Sequence, residues 1–345
     1  MLYGGRSSEH AISILSAGSV LSALDPARYD VVTIGITPSG AWVPTSVDPA
    51  QLRIVNRQLP AVSEPAGTAV TAFGPGGSGS ALERLAGVDV VFPVLHGANG
   101  EDGTIQGMLE LAGVPYVGSG VLASAAAMDK TFTKTVLAAA GLAVTPYLVV
   151  RQGRPVRALD VQHLGLPLFV KPARTGSSVG ISRVRDYEEL PEALELAFRH
   201  DSKALIEAAM TGRELECGVL EDADGSVSAS LPAEIRLRPG FDWYSFEAKY
   251  LEDSSDFDIP AQIGEAGIKH VQDMACQAFE VLECSGLARV DGFYTPDGQF
   301  VLNEVNTMPG FTSISMYPKM WAETGVSYPE LLDRLIATAL ARDRR

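Results

Sequence analysis

The strand-like runs of this chain change character part way along, and that change limits the folds open to it. Residues 30–36 ("DVVTIGI") and 88–95 ("VDVVFPVL") are near-continuous apolar runs, the pattern of strands covered on both faces. A helix-like stretch follows at 104–111, then the short run "PYVG". Strand and helix alternate to about Gly118, which predicts a parallel, doubly wound sheet. From Glu214 onward the runs "ELECGVL", "SVSASLPAEI", "LARVDGFYT" and "QFVLNEV" follow one another with a single helix-like interruption at 267–285. They predict antiparallel, half-exposed strands. Between these regions lie an alanine-rich helical stretch (119–140), strand-like segments at 144–150, 167–172 and 203–210, and a helix at 186–199. A last helix is expected near 328–341. The fold class is α/β (α+β), and 345 residues predict two or three units.

The net charge of −15 argues against a nucleic-acid backbone or an anionic membrane as partner. Cys217, Cys276 and Cys284 form no CxxC pair, which fits a reducing compartment and neither a disulfide framework nor a zinc site. No stretch has the form of a signal peptide or a bilayer span. A soluble, cytoplasmic protein is expected. Residues 44–80, rich in Pro and Gly, read as an excursion, and 236–260 as a long polar loop of the kind that forms lids.

The chain opens "MLYGGRSSEHAISILSAG". A glycine turn leads into a helix expected at 7–24, with Ser7 or Ser8 as its cap. Only three residues precede the glycines, where a buried strand of five or six is usual. Near the other end, alternation in "FVLNEVN" puts Glu304 and Asn306 on one strand face, and the turn "TPDGQ" brings Asp291 alongside. Two carboxylates and an amide oxygen suit Mg²⁺; they equally suit a hairpin whose polar face meets water. "FVKPARTGSSVG" delivers Lys171 into a Gly/Ser loop able to cradle an anion, or simply flexible. Lys130, Lys249, Tyr250 and His96 each have a structural reading as well: a solvated helix lysine, an incidental loop pair and a satisfied histidine. Taken together, an oxygen-ligand metal site, a lysine-bearing loop and a lid point to phosphoryl transfer from a Mg-nucleotide.

The motifs "GGRSSEHAIS", "LHGANGEDGTIQGMLELAGVPYVGSGVLASAAAMDK", "KPARTGSSVGIS", "FEAKYLED", "ARVDGFY" and "NEVNTMPGFTSISMYPKMW" together resemble the D-alanine–D-alanine ligases, ATP-grasp enzymes of peptidoglycan precursor synthesis. The resemblance covers nearly the whole chain in family order, apart from residues 44–80. It implies a three-lobed ATP-grasp fold divided at 1–118, 119–208 and 209–345, with 236–260 as the lid. It also implies two Mg²⁺ ions, with Mn²⁺ as an alternative, on Asp291, Glu304 and Asn306. Lys130 and Lys171 match phosphate-binding lysines. Glu207 and Glu214 match acids near adenine and ribose, and the backbone of Ala209 and Met210 matches the adenine-reading segment. Glu9 matches the acid that receives the first D-alanine's ammonium group, with Ser177 and Tyr250 tying it to the lid. Arg289 and the Gly310 backbone match the oxyanion hole, and Ser315 and Met316 the site of the second carboxylate. His96 and Lys249 are implied to lie near the transferred phosphate. The partners implied are D-alanine, ATP and a second copy of the chain in a homodimer.

The resemblance also bears on the short first strand, since related chains carry more residues before the glycines. Either translation starts upstream or this strand is truncated. Thr175 in "ARTGSS" and Ala208 in "EAAM" depart from residues common at those places. A D-alanine–D-lactate ligase is the sibling reading, disfavoured by Tyr250 in "EAKY". Another carboxylate–amine ligase is disfavoured by the segments around Glu9 and "SISMYP". A non-catalytic nucleotide-binding protein is disfavoured because every expected catalytic position is filled.

Overall fold

The structure, a computed structural model, describes residues 1–45, 52, 59–63, 85, 87–238, 255–312 and 314–342. Most of the excursion at 44–80 and of the expected lid at 236–260 therefore lies outside the described residues. The first sheet contains β1 (Leu2–Gly4), β2 (Thr33–Ile36), β3 (Trp42–Thr45) and β4 (Pro93–Val94) in the order β3-β2-β1-β4. β1 runs parallel to β2 and β4, and β3 is an antiparallel edge. The parallel core agrees with the sequence pattern, but the strands are shorter than expected. β1 offers only three residues for pairing, Leu2 to Ile34 through Gly4 to Ile36. Val31 and Val32 lie before that paired stretch and stand 36% and 43% exposed, although the Val32 carbonyl accepts from the Met1 amino group at 2.7 Å. The run "PYVG" contributes one isolated bridge, Tyr116 to Val91.

Helix α1 (His10–Ala23) follows the glycine turn. Its N-cap position is Glu9, not Ser7 or Ser8. Ser7 Oγ instead accepts the Glu9 N–H at 3.1 Å and donates to the His96 carbonyl at 2.7 Å. The Glu9 side chain is thereby free to point away from the helix end. After α2 (Thr104–Leu111), the helix expected at 119–140 is two helices, α3 (Val121–Met128) and α4 (Lys130–Ala139). Asp129 breaks them apart at φ −94° and ψ 101°, and its carboxylate caps α4 by accepting the Thr131 and Phe132 N–H groups at 3.0 and 3.3 Å.

The second sheet is antiparallel, with β5 (Tyr147–Arg151), β6 (Leu168–Pro172), β7 (Ser182–Val184) and β8 (Lys203–Ala208) in the order β5-β8-β6-β7. Helix α5 (Leu190–Phe198) closes its own core, with Leu190, Ala193 and Ala197 against Leu168, Val170 and Ile206. The third sheet is antiparallel throughout. It comprises β9 (Arg213–Glu221), β10 (Val227–Ala229), β11 (Ala233–Leu237), β12 (Ser255–Asp258), β13 (Leu287–Tyr294) and β14 (Phe300–Asn306). Its order is β12-β11-β9-β13-β14, with β10 beside β9. β9, β13 and β14 are mostly buried rather than half-exposed, while β10 is half-exposed as expected. Helix α6 (Gly264–Val281) covers one face through Val271, Ala275 and Phe279. Helices α7 (Met316–Glu323) and α8 (Tyr328–Arg342) cover part of the other through Tyr317, Trp321 and Leu335. Val20, Phe92, Val94 and Val117 of the first unit join that second core. What remains of this face, toward the ends of β13 and β14, opens into a cleft.

Candidate active site

The cleft lies where the three sheets meet, and its walls carry residues from all of them. Glu9 enters from the first. It is 8% exposed, and its Oε1 accepts a hydrogen bond from Ser177 Oγ, 168 residues away. Two glycines make room for this carboxylate. A Cβ on Gly97 would stand 2.8 Å from Glu9 Oε2, and one on Gly176 2.9 Å. Ser177 and Ser178 both have positive φ, 50° and 60°, which side chains other than glycine rarely adopt. The loop after β6 thus holds a conformation that turns Ser177 toward Glu9.

The third sheet supplies the densest charge. Arg289 pairs with Asn306, and Asp291 with Glu304, across β13 and β14, so all four stand on one face. Arg289 donates to both Asp291 oxygens, at 2.8 and 2.7 Å, and lies 3.2 Å from Glu216 Oε2. Burial works against its charge, but Asp291 and Glu216 hold its pKa well above the ordinary value. Asn306 Nδ2 donates to Asp291 Oδ2 at 2.8 Å. Lys130 Nζ reaches Glu304 Oε2 at 3.4 Å and the Thr175 carbonyl at 2.9 Å, which ties α4 to the loop after β6. Among the described residues no three His, Cys, Asp or Glu side chains stand together as a metal cluster. The expected set has only two carboxylates, and its third member is an amide. All three offer hard oxygen donors, and such a set fits a divalent cation such as Mg²⁺.

Lys171 and Glu207 are placed together, beneath the cleft wall. Lys171 Nζ is 2.5 Å from Glu207 Oε2 and donates to Asn303 Oδ1 at 3.0 Å. A bulge between Asp291 and Gly292 shifts the β13–β14 register, and Asn303 is the residue it leaves over. Glu207 is also 3.1 Å from Lys134 Nζ. Burial alone would raise its pKa, but Lys134 and Lys171 hold it below the ordinary carboxylate range. Lys134, Asn303, Glu216 and Glu101 have no place in the sequence reading. Only the helical spacing of Lys130 and Lys134 hinted that two lysines share one face. Glu214 stands half-buried on β9, two residues before Glu216. Ala209 and Met210 follow β8, and the Ala209 N–H is taken by the Pro167 carbonyl at 3.2 Å.

His96 lines the cleft, yet both ring nitrogens are engaged. Nδ1 lies 3.1 Å from the Met308 carbonyl and Nε2 3.1 Å from Ser16 Oγ. A carbonyl only accepts, so the proton resides on Nδ1. Ser16 Oγ in turn accepts the Phe311 N–H at 3.2 Å. Burial lowers the His96 pKa and keeps the ring neutral. Glu101 accepts the Gly97 N–H at 2.9 Å; burial and the Glu9 charge push it up to about 8. Gly310 packs against Ser315, whose Oγ would lie 2.8 Å from a Cβ there. Ser315 and Met316 begin α7 at the cleft edge. Lys249 and Tyr250 lie outside the described residues.

Known proteins similar to this chain match it over nearly its whole length. The family model "D-ala D-ala ligase N-terminus" matches residues 1–119, and "D-ala D-ala ligase C-terminus" matches residues 136–337. A D-alanine–D-alanine ligase from Mycobacterium sp. (strain KMS) is 56% identical over 358 residues, covering 99% of this chain and 96% of its own. The ligase from Mycolicibacterium smegmatis is also 56% identical, covering 99% and 95%. Among solved structures, the D-alanine–D-alanine ligase from Coxiella burnetii superposes with a TM-score of 0.80 at 35% identity, covering 99% of this chain and 93% of that one. The VanG D-Ala:D-Ser ligase from Enterococcus faecalis gives 0.80 at 36% identity, covering 98% of each. The chain belongs to the D-alanine–D-alanine ligase family.

Proposed function

We propose that the protein joins two D-alanine molecules into D-alanyl-D-alanine, cleaving ATP to ADP and phosphate, for peptidoglycan precursor synthesis. One observation carries this reading. Glu9 and Ser177 meet across the same cleft that Lys130, Arg289 and Glu304 line. An anion for an ammonium group thus lies beside cations for a phosphate and an oxyanion.

A carboxylate is a poor electrophile. The carboxylate of the first D-alanine, anchored through its ammonium group at Glu9, attacks the γ-phosphate of ATP and becomes an acylphosphate. Lys130 and Lys171 hold the phosphates. The amine of the second D-alanine attacks the carbonyl, and phosphate leaves. Arg289 and the Gly310 N–H stabilise the tetrahedral oxyanion, where each such donor contributes about 3 kcal/mol in a dry site. Ser315 and Met316, at the start of α7, receive the second carboxylate. Glu207, Glu214, Ala209 and Met210 border the adenosine. Asp291, Glu304 and Asn306 would hold Mg²⁺, two ions in this reading, with Mn²⁺ able to substitute, and the metal would supply positive charge against the phosphates. His96 has both nitrogens satisfied, so its part is to hold the Met308–Phe311 turn rather than to contact phosphate. Tyr250 and Lys249 close the lid and exclude the water that would hydrolyse the acylphosphate.

Lobes at 1–118, 119–208 and 209–345, a homodimer and a cytoplasmic location complete the reading. Among the described residues no helix is long and apolar enough to cross a membrane. Phosphate release from Mg-ATP with D-alanine, with product mass read from the same tube and D-lactate in competition, tests the function. Dipeptide in step with phosphate is expected. Folded, ATP-binding protein that makes no dipeptide, or makes chiefly the D-lactate product, would overturn it.

A further inference from the structure

One buried cation has no part in that reaction. Lys134, one helical turn after Lys130 on α4, has a fully buried side chain. Its ammonium group contacts Thr145 Oγ1 and Glu207 Oε1. The other Glu207 oxygen belongs to Lys171. One carboxylate therefore faces two ammonium groups, and none of the three side chains is more than 8% exposed. A buried charge beyond the number needed for pairing is costly, so the second lysine calls for a reason.

The two lysines differ in where they stand. Lys134 is enclosed, and Thr145 beside it is itself fixed by its N–H to the Leu302 carbonyl at 3.1 Å. Lys171 lies near the end of β6, at the root of the loop that carries Ser177 into the cleft. We propose that Lys134 is a positioning residue for nucleotide binding: it holds Glu207 permanently, so that Lys171 can exchange that carboxylate for a nucleotide phosphate. The inference rests on the ligase reading and on Lys171 as a phosphate-binding lysine within it. Without Lys134, Lys171 and Glu207 form a closed pair. Drawing Lys171 onto a phosphate would then leave Glu207 buried and unmatched. Burial and the neighbouring Lys171 lower the Lys134 pKa to about 8, against Glu207 and Glu304. The residue is thus held charged near neutral pH at a cost, as a group retained for function would be.

The test is titration of the full chain with ATP, ADP and adenosine, read as the ratio of ATP to adenosine affinity. Lys134→Met should lower that ratio about 100-fold, the scale of unpairing a buried charge, with adenosine affinity little changed. Glu207→Gln added to Lys134→Met should restore most of the ratio, because Lys171 is released. Lys134→Met weakening adenosine as much as ATP would reduce the residue to a structural role and overturn the proposal, as would an unchanged ratio. Should Lys134→Met not fold, the double variant decides alone, since it removes the Glu207 charge and leaves Lys171 on the neutral Asn303, ready to take a phosphate. A ratio near that of the parent supports action through Glu207; a lost ratio means direct action on phosphate and overturns it. Lys171→Met separates the underlying reading. If that variant keeps the parent ratio, Lys171 binds no phosphate and the proposal falls with it.

Discussion

Glu9 owes its position to two glycines far from it in sequence. Gly176 is the cleaner probe, because its φ is not positive and the clash of a Cβ with Glu9 Oε2 at 2.9 Å would be the main effect. Gly176→Ala should displace the carboxylate by a few tenths of an ångström or more and raise the KM for D-alanine about 10- to 100-fold, the usual sensitivity to misplacement. ATP affinity measured without D-alanine should stay within about twofold, a change too small to register against a tenfold step. Steady-state kinetics with a nucleotide titration checks both, and an unchanged D-alanine KM would count against Glu9 as the ammonium anchor. Lys134 makes a prediction about stability rather than binding. Its folded value is lowered from 10.5 to about 8, chiefly by burial. Between those values the unfolded chain keeps a proton that the folded one has lost, so this group's contribution to stability rises with pH. Below about 8 the penalty of the buried cation is present in full. Urea unfolding from pH 7 to 10 should show the parent gaining stability relative to Lys134→Met as pH rises; parallel curves would mean that the lysine is not perturbed.

The break between α3 and α4 is the element on which the lysines of the site depend, and one side chain makes it. Asp129 caps α4, and its other oxygen pairs with buried Lys203, which also sits 5.1 Å from the centre of the Phe132 ring. Asp129→Ala loses the cap and leaves Lys203 without its carboxylate, so unfolding should become easier by about 3–5 kcal/mol. Asp129→Asn keeps an acceptor for the cap and should recover about 1 kcal/mol of that. Denaturant titration of the three proteins checks the order. Sequence reading ran straight through this break because the apolar pattern of 119–140 continues across it. The signal present was an Asp just ahead of "KTFTK", the composition of an N-cap. Elements with unbroken periodicity were legible: α6 and the β13–β14 hairpin lie where the pattern puts them. The alternation that sets Glu304 and Asn306 on one face was legible too. The register shift at Asp291 and Gly292 was not, since a bulge leaves no mark on a period of two, and Asn303 was missed for that reason. Strand lengths in the first sheet were overread because apolar runs record burial, whereas pairing stops where β1 stops.

At the scale of the molecule, local pattern could not assemble the cleft. Glu9 and Ser177 come from different sheets, and only the family resemblance brought them together before the fold was in view. Pattern also could not show that the first and third sheets share a core. Phe311 is the joint. It is fully buried, its ring meets Phe92 edge-on at 5.8 Å and 84°, and it packs 5.6 Å from the Tyr317 ring. Its N–H reaches Ser16 on α1, while its carbonyl accepts from Tyr328 at 2.8 Å. The second sheet instead closes its own core with α5. This arrangement predicts two units of stability rather than three. Phe311→Ala should cost about 3–5 kcal/mol by opening a cavity. Hydrogen exchange should then quicken at Leu2, whose N–H is held by Phe92, and at Val290 in β13, by the same factor. The amides of Val170 and Ile206 in the second sheet should exchange as they do in the parent. Faster exchange confined to β13 and its neighbours, with Leu2 still protected, would mean that the first sheet folds apart from the third. In that case the His96 and Ser16 contacts to the Met308–Phe311 turn join two units that move independently. Equal quickening means that the turn and its oxyanion donor are held by one cooperative core, and that closing the cleft falls to the second sheet and its Ser177 loop.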